Sequence, residues 1–125
     1  MREILFRGKR KDNGEWVEGF YCGGNERNTL HPAIFIYLPD KQSYDYQDID
    51  INTLGQYTGL TDKNGKKVFE GDILKGLYSN GNAEVKMING SWVGYAGKGW
   101  TDIGYVVERV EVIGNVHDNP ELLQN

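Results

Sequence analysis

Apolar and polar residues alternate in short runs along this chain, and residues that favour turns separate the runs. Over 4–10, Ile4, Phe6 and Gly8 share one face while Leu5, Arg7 and Lys9 share the other, which predicts a strand. Lys11-Asp12-Asn13-Gly14 follows. Asn-Gly tolerates the pair of positive φ angles in a type I′ turn, so 15–22 is expected to return as a hairpin strand. Residues 23–28 are Gly, Asn and charges and are expected to form a loop. Residues 34–38 are continuously apolar and bracketed by Pro32 and Pro39, as in a buried strand. Residues 40–46 are polar and are expected to be a loop. Ile49 and Ile51 alternate within 47–51, and Asn52-Thr53 is expected to turn the chain.

Turns become denser in the second half. Asn64-Gly65 predicts a hairpin, and Glu70-Gly71-Asp72 a corner leading into a strand over 73–78. Asn80-Gly81 and Asn89-Gly90 then flank a strand over 83–88, with another over 91–95. The chain therefore carries four Asn-Gly pairs, three of them between 64 and 90, which indicates an antiparallel meander. Residues 96–104 are rich in Gly and hold Trp100; 105–113 reads as a late strand region. Asn119 suits a helix N-cap and Pro120 the first helical position. A short C-terminal helix is expected there, docking Leu122 and Leu123. No helical periodicity is long enough for a major helix. The class is thus mainly β, with α+β as the alternative, and the second half has the strand count of a small barrel. A soft boundary near 55–59 separates subdomains 1–57 and 58–125, packed tightly enough to count as one domain.

Composition narrows the function. Apolar residues are only 38% of the chain, but eight Tyr, four Phe and three Trp supply large side chains for a core or an interface. The net charge of −4 argues against broad electrostatic binding to nucleic acid or an anionic membrane. Cys22 is the only cysteine, so no internal disulfide forms and no cysteine-based metal site exists. No apolar run reaches membrane-spanning length, and the N-terminal residues lack a signal-peptide pattern. A cytoplasmic protein of a bacterial host cell is the expectation.

The candidate chemistry is sparse. Glu70 and Asp72 would serve as an acid/base pair or cation ligands only if they converged on one point. A Gly in a turn separates them, so shaping the corner is the expected role. Thr58, Thr61 and Asp62 precede Asn64-Gly65-Lys66-Lys67, but the helix that a phosphate loop needs is missing. His31 and His117 have no ligand spacing, either with each other or with Asp118 or Cys22. Cys22 follows Phe20 and Tyr21 and is expected to be packed rather than reactive. Arg7, Lys9, Arg10 and Lys11 form one basic cluster, and Lys63, Lys66 and Lys67 another. With Trp92, Tyr95 or Trp100 beside them, Arg7, Lys9, Arg10, Lys66 and Lys67 would suit single-stranded nucleic acid. The competing expectation is a solvated strand edge on which lysines discourage aggregation.

Three separated motifs resemble the YopX family of small phage and prophage proteins. The first is Arg2-Glu3-Ile4 with Phe6-Arg7-Gly8-Lys9 and Asn13-Gly14-Glu15-Trp16-Val17. The second is Gln56-Tyr57-Thr58-Gly59-Leu60, Asp62-Lys63-Asn64-Gly65-Lys66 and Glu70-Gly71-Asp72-Ile73. The third is Val112-Ile113-Gly114-Asn115-Val116 with Asn119-Pro120-Glu121-Leu122-Leu123. The resemblance implies a β-rich fold with an SH3-like barrel in the C-terminal half and a phage or prophage gene. It implies no catalytic residue, cofactor or metal. The expected function is a non-enzymatic binding or assembly module, forming a homo-oligomer or joining a phage or host protein. A nucleic-acid-binding accessory protein is the alternative, and an enzyme with an unrecognised site the weaker one.

Overall fold

Alternation and turn chemistry give ten strands among the residues described by the computed structural model, namely 4–22, 32–79, 81–97, 99–105 and 107–123. Every pairing between them is antiparallel. The chain divides into two compact units, Met1–Gln56 and Tyr57–Asn125.

In the first unit, β1 (Phe6–Arg10) pairs with β2 (Trp16–Cys22), which pairs with β3 (Ala33–Leu38), which pairs with β4 (Ser43–Thr61). Strand β1 also pairs with β4, so each of the four has partners on two sides. β2 serves β1 with residues 16–19 and β3 with residues 20–22. The core is thin: Ala33, Ile34 and Ile49 are its buried apolar residues, and a Cβ on Gly8 would meet Ile49.

Two expectations fail here. Residues 40–46 are not a loop. A 3-10 turn, Pro39–Lys41, leads through Gln42 at φ 48° straight into β4. Nor does Asn52-Thr53 end a strand. The Asp50 carboxylate accepts from the Asn52 N–H, and the Thr53 hydroxyl donates to the Asp50 carbonyl. The same hydroxyl accepts from the Lys9 N–H across the sheet. The turn chemistry is spent on a bulge: the register jumps from Arg7↔Gly55 to Lys9↔Asp50, and the strand continues.

In the second unit, the end of β4 pairs with β5 (Lys67–Phe69). A five-stranded sheet follows, built from β6 (Asp72–Tyr78), β7 (Gly81–Ile88), β8 (Ser91–Ala96), β9 (Gly99–Asp102) and β10 (Glu111–Asn115) in the order β10-β6-β7-β8-β9. Val68, Leu74, Val85, Trp92, Ile103, Val110 and Val112 form its core. In the described pairings β9 and β10 are the outer strands, so the expected barrel is seen only as this sheet. The late strand region over 105–113 is shorter than expected. Asp102 accepts from the Gly104 N–H and starts the 3-10 turn Ile103–Tyr105; a second one, Val107–Arg109, precedes β10. The expected C-terminal helix is a single 3-10 turn, Pro120–Leu123. The Asn119 side chain does not cap it, because its Oδ1 accepts from the Asn115 N–H instead. No α-helix occurs among the described residues, so the α+β alternative does not hold.

The Asn-Gly pairs fold in different ways. Only Asn89-Gly90 has positive φ at both residues, 52° and 81°, as a type I′ turn requires, and it joins Ile88 directly to Ser91. At Gly14 and Gly65 the Gly alone is left-handed. The turn at 13–14 lies in a four-residue loop closed by Arg10 N–H to Glu15 C=O. That at 64–65 lies in a three-residue loop closed by Asp62 N–H to Lys66 C=O. Asn80 and the loop over 23–28 lie outside the described residues.

Candidate functional site

The middle of the chain uses its polar groups for structure. Asp72 is buried and accepts the Phe69 N–H at 2.7 Å. Gly71, at φ 91°, donates to Val85 C=O and accepts from Val116 N–H, which ties the corner to β7 and to the turn after β10. The Thr58 hydroxyl donates to Val68 C=O and accepts from Leu60 N–H. Asp62 is 6% exposed and accepts three backbone N–H groups, from Asn64, Lys66 and Val112. Burial alone would push its carboxyl up; the donors at Val112, Lys66 and Asn64 and the Lys66 charge outweigh it and hold it below the usual carboxylate range. Among the described residues no three acidic, His or Cys side chains gather as metal ligands. His117 is exposed; His31 and the Cys22 side chain lie outside the description.

The basic residues are engaged locally. In the first unit, the Arg7 guanidinium lies 4.7 Å over the Trp16 ring and the Lys9 ammonium 5.6 Å from it. Arg10 donates twice to the Asp12 carboxylate, at 3.0 and 2.7 Å. In the second unit, Lys67 lies 5.8 Å from the Tyr57 ring and Lys66 is exposed. Of the aromatics expected to stack bases, Trp92 is buried in the core, so its faces are already covered by apolar side chains. Tyr95 carries Lys86 over its ring at 4.6 Å. Trp100 is 52% exposed.

Among the described residues, exposed aromatic rings gather in a place that the sequence was not expected to put them. On the sheet of the first unit, Phe20 pairs with Phe35 and Phe35 with Tyr46, so three rings stand in register on one face of three strands. The Phe35 and Tyr46 centroids are 4.9 Å apart, and Tyr44, on the same face of β4, is 6.3 Å from Phe35. Phe20 and Tyr44 are 57% and 58% exposed, and Tyr46 is exposed as well. Asp48 and Asp50 continue this face along β4, and Lys41 stands before its other end. The signal was present in Tyr44-Asp45-Tyr46-Gln47, a period-two alternation that polar composition masked.

The family profile described as YopX protein matches residues 5–124. The chain belongs to the YopX family. No curated protein matches it. Its fold is similar to that in the crystal structure of protein EF1440 from Enterococcus faecalis, with a TM-score of 0.60 and 24% identity over 99% of this chain and 100% of that one. This likeness speaks for the fold alone. Among the described residues of this YopX family chain, no helix is long and apolar enough to cross a membrane.

Proposed function

We propose that this YopX family protein is a non-enzymatic assembly module that pairs with a second copy of itself through the aromatic face of its first unit. The row Phe20–Phe35–Tyr46, with Tyr44 beside it, carries this reading. Among the described residues of this unit Ala33, Ile34 and Ile49 are the buried apolar ones, while Phe20, Tyr44 and Tyr46 stand exposed. Covering each ring with a partner contributes about 1.5–3 kcal/mol of apolar burial. The centre of the face is uncharged, while Lys41 stands at one end of β4 and Asp48 and Asp50 lie toward the other. A twofold axis through the aromatic row brings those unlike ends together, which is the self-complementarity that a symmetric dimer needs. Asp40, next to Lys41, weakens this charge term, so the rings carry the main part.

The resemblance to phage and prophage proteins supports placing the gene in that context and the protein in the cytoplasm of its host. The SH3-like reading of the second unit draws its support from the strand order β10-β6-β7-β8-β9 and the 3-10 turns before the last strand. A nucleic-acid role is weaker, since Arg10 is held by Asp12 and Trp92 is in the core.

Sedimentation equilibrium over a wide concentration range tests the pairing. The expected result is a dimer in which Phe20→Ser with Tyr44→Ser gives a folded monomer. A wild-type chain that stays monomeric up to its solubility limit overturns it.

A further inference from the structure

The second unit holds a cavity of about 630 Å³ beside the start of β7 and the end of β8. Tyr78, Asn82, Glu84 and Tyr95 line it, with Leu123 and the backbone of Gly97 and Gly99. The register sets a carboxylate beside aromatic rings: Glu84 pairs with Tyr95, and Tyr95 with Trp100, side by side in one row on one face of β7, β8 and β9. A carboxylate beside aromatic faces is an environment that stabilises a cation, through charge and through the ring quadrupole. The chain displays this preference with its own Lys86. That ammonium sits 4.6 Å from the Tyr95 centroid and 3.9 Å from a Glu84 carboxylate oxygen. At 3.9 Å the pairing with Glu84 is loose, and the Lys86 side chain remains 43% exposed. Lys86 touches Glu84 and Tyr95 without being among the described residues that line the cavity.

We propose that this cavity binds an organic cation, a guanidinium or alkylammonium group, with Glu84 as counterion and the rings of Tyr95 and Tyr78 as walls. Two neighbouring polar groups leave Glu84 this role. The Tyr78 hydroxyl is engaged with Gly94 C=O and the Thr101 hydroxyl, at 3.2 and 2.9 Å. The Asn82 amide donates to Leu122 C=O. Those bonds fix the walls; the Glu84 carboxylate, met at only 3.9 Å, keeps acceptor capacity for a ligand. Lys86 is then an internal competitor: removing it strengthens binding, whereas removing the Glu84 charge weakens it. A merely structural Glu84–Lys86 pair predicts no such opposition.

The experiment titrates full-length protein with agmatine and, separately, with a terminally blocked Gly-Arg-Gly peptide, following amide shifts at Gly97 and Gly99. The uncharged control is N-butylacetamide. The expected result is saturable binding of a cationic probe and none of the control. Agmatine alone binding marks a small free cation as the ligand; the peptide binding marks a protein side chain. Glu84→Gln weakens binding at least about tenfold, the value of a charge-assisted contact. Lys86→Met tightens it about threefold, the value of one exposed cation–ring contact. No saturable shift with either probe, equal binding by the control, or unchanged affinity in Glu84→Gln overturns the proposal. If Glu84→Gln disturbs the sheet, Lys86→Met decides alone, and unchanged or weaker binding there overturns it.

Discussion

Two hairpins each hold an Asn-Gly pair with an aspartate ahead of it, and they use that aspartate in different ways. In the first unit, Asp12 precedes Asn13-Gly14 and is held out in solvent by Arg10 and by backbone groups of its own turn. In the second, Asp62 begins the loop that holds Asn64-Gly65 and is buried. One of its oxygens closes the loop by accepting Asn64 and Lys66 N–H, at 2.8 and 2.9 Å. The other accepts Val112 N–H, fifty residues away, at 2.9 Å. Lys63 N–H adds a bond to Val110 C=O. The second hairpin is therefore fastened to the last strand, while the first is closed by local bonds and by Lys11 N–H to Asp48 C=O. A turn residue becomes structural at long range when its acceptors are buried and shared with a distant strand.

Replacing Asp62 is expected to have the largest effect. Asp62→Ala leaves the buried Val112 N–H without its acceptor and loosens the loop bonds to Asn64 and Lys66. An orphaned buried donor costs roughly 1–3 kcal/mol, and the loop bonds add to that, so a loss of about 3 kcal/mol is expected. Urea unfolding measures it, and a loss below about 1 kcal/mol would make the comparison between the hairpins wrong. Next in size is the acid limb of stability. Because the folded Asp62 carboxyl is held below its ordinary value, its contribution is fully present above about pH 4, the unfolded value, and disappears as pH falls through the folded one. Asp62→Asn should flatten the stability profile in that range. An acid limb identical to wild type would show that the Asp62 charge has no part in folding.

How much of this was legible follows from the range of each interaction. The hairpins at 13–14, 64–65 and 89–90 were readable because Asn-Gly acts within a few residues. Which turn each would make was not, since loop length depends on the register of whole strands. Thr58 and Asp62 stand near the hairpin in sequence, but the tie from Asp62 to Val112 has no local signature. Asn52-Thr53 misled because a turn motif also makes a bulge when a neighbour such as β1 holds the strand on both sides of it. Trp92 and Trp100 occupy the same kind of Gly-rich, aromatic sequence, and only the pairing of β7, β8 and β9 decides which enters the core. The outward rings of Phe20, Tyr44 and Tyr46 were missed for a different reason. For Tyr44 and Tyr46, the polar residues Asp40, Lys41, Gln42, Ser43 and Asp45 made 40–46 look like a loop, although its alternation already described a strand with one aromatic face.

The smallest expected effect sharpens the comparison from the other side. The Arg10 side-chain hydrogen bond lowers the Asp12 carboxyl, and Asp12 in turn raises the Arg10 guanidinium, yet the pair lies in water. Water and salt screen such a pair, and holding two side chains together offsets much of the attraction. Asp12→Ala should therefore leave the melting temperature within about 2 °C of wild type, with the difference vanishing in roughly 1 M salt. Asp62 stands two residues ahead of Asn64, whereas Asp12 directly precedes Asn13. A destabilisation by Asp12→Ala that matches Asp62→Ala and survives high salt would mean that the turn itself, not the link to a distant strand, gives these aspartates their weight.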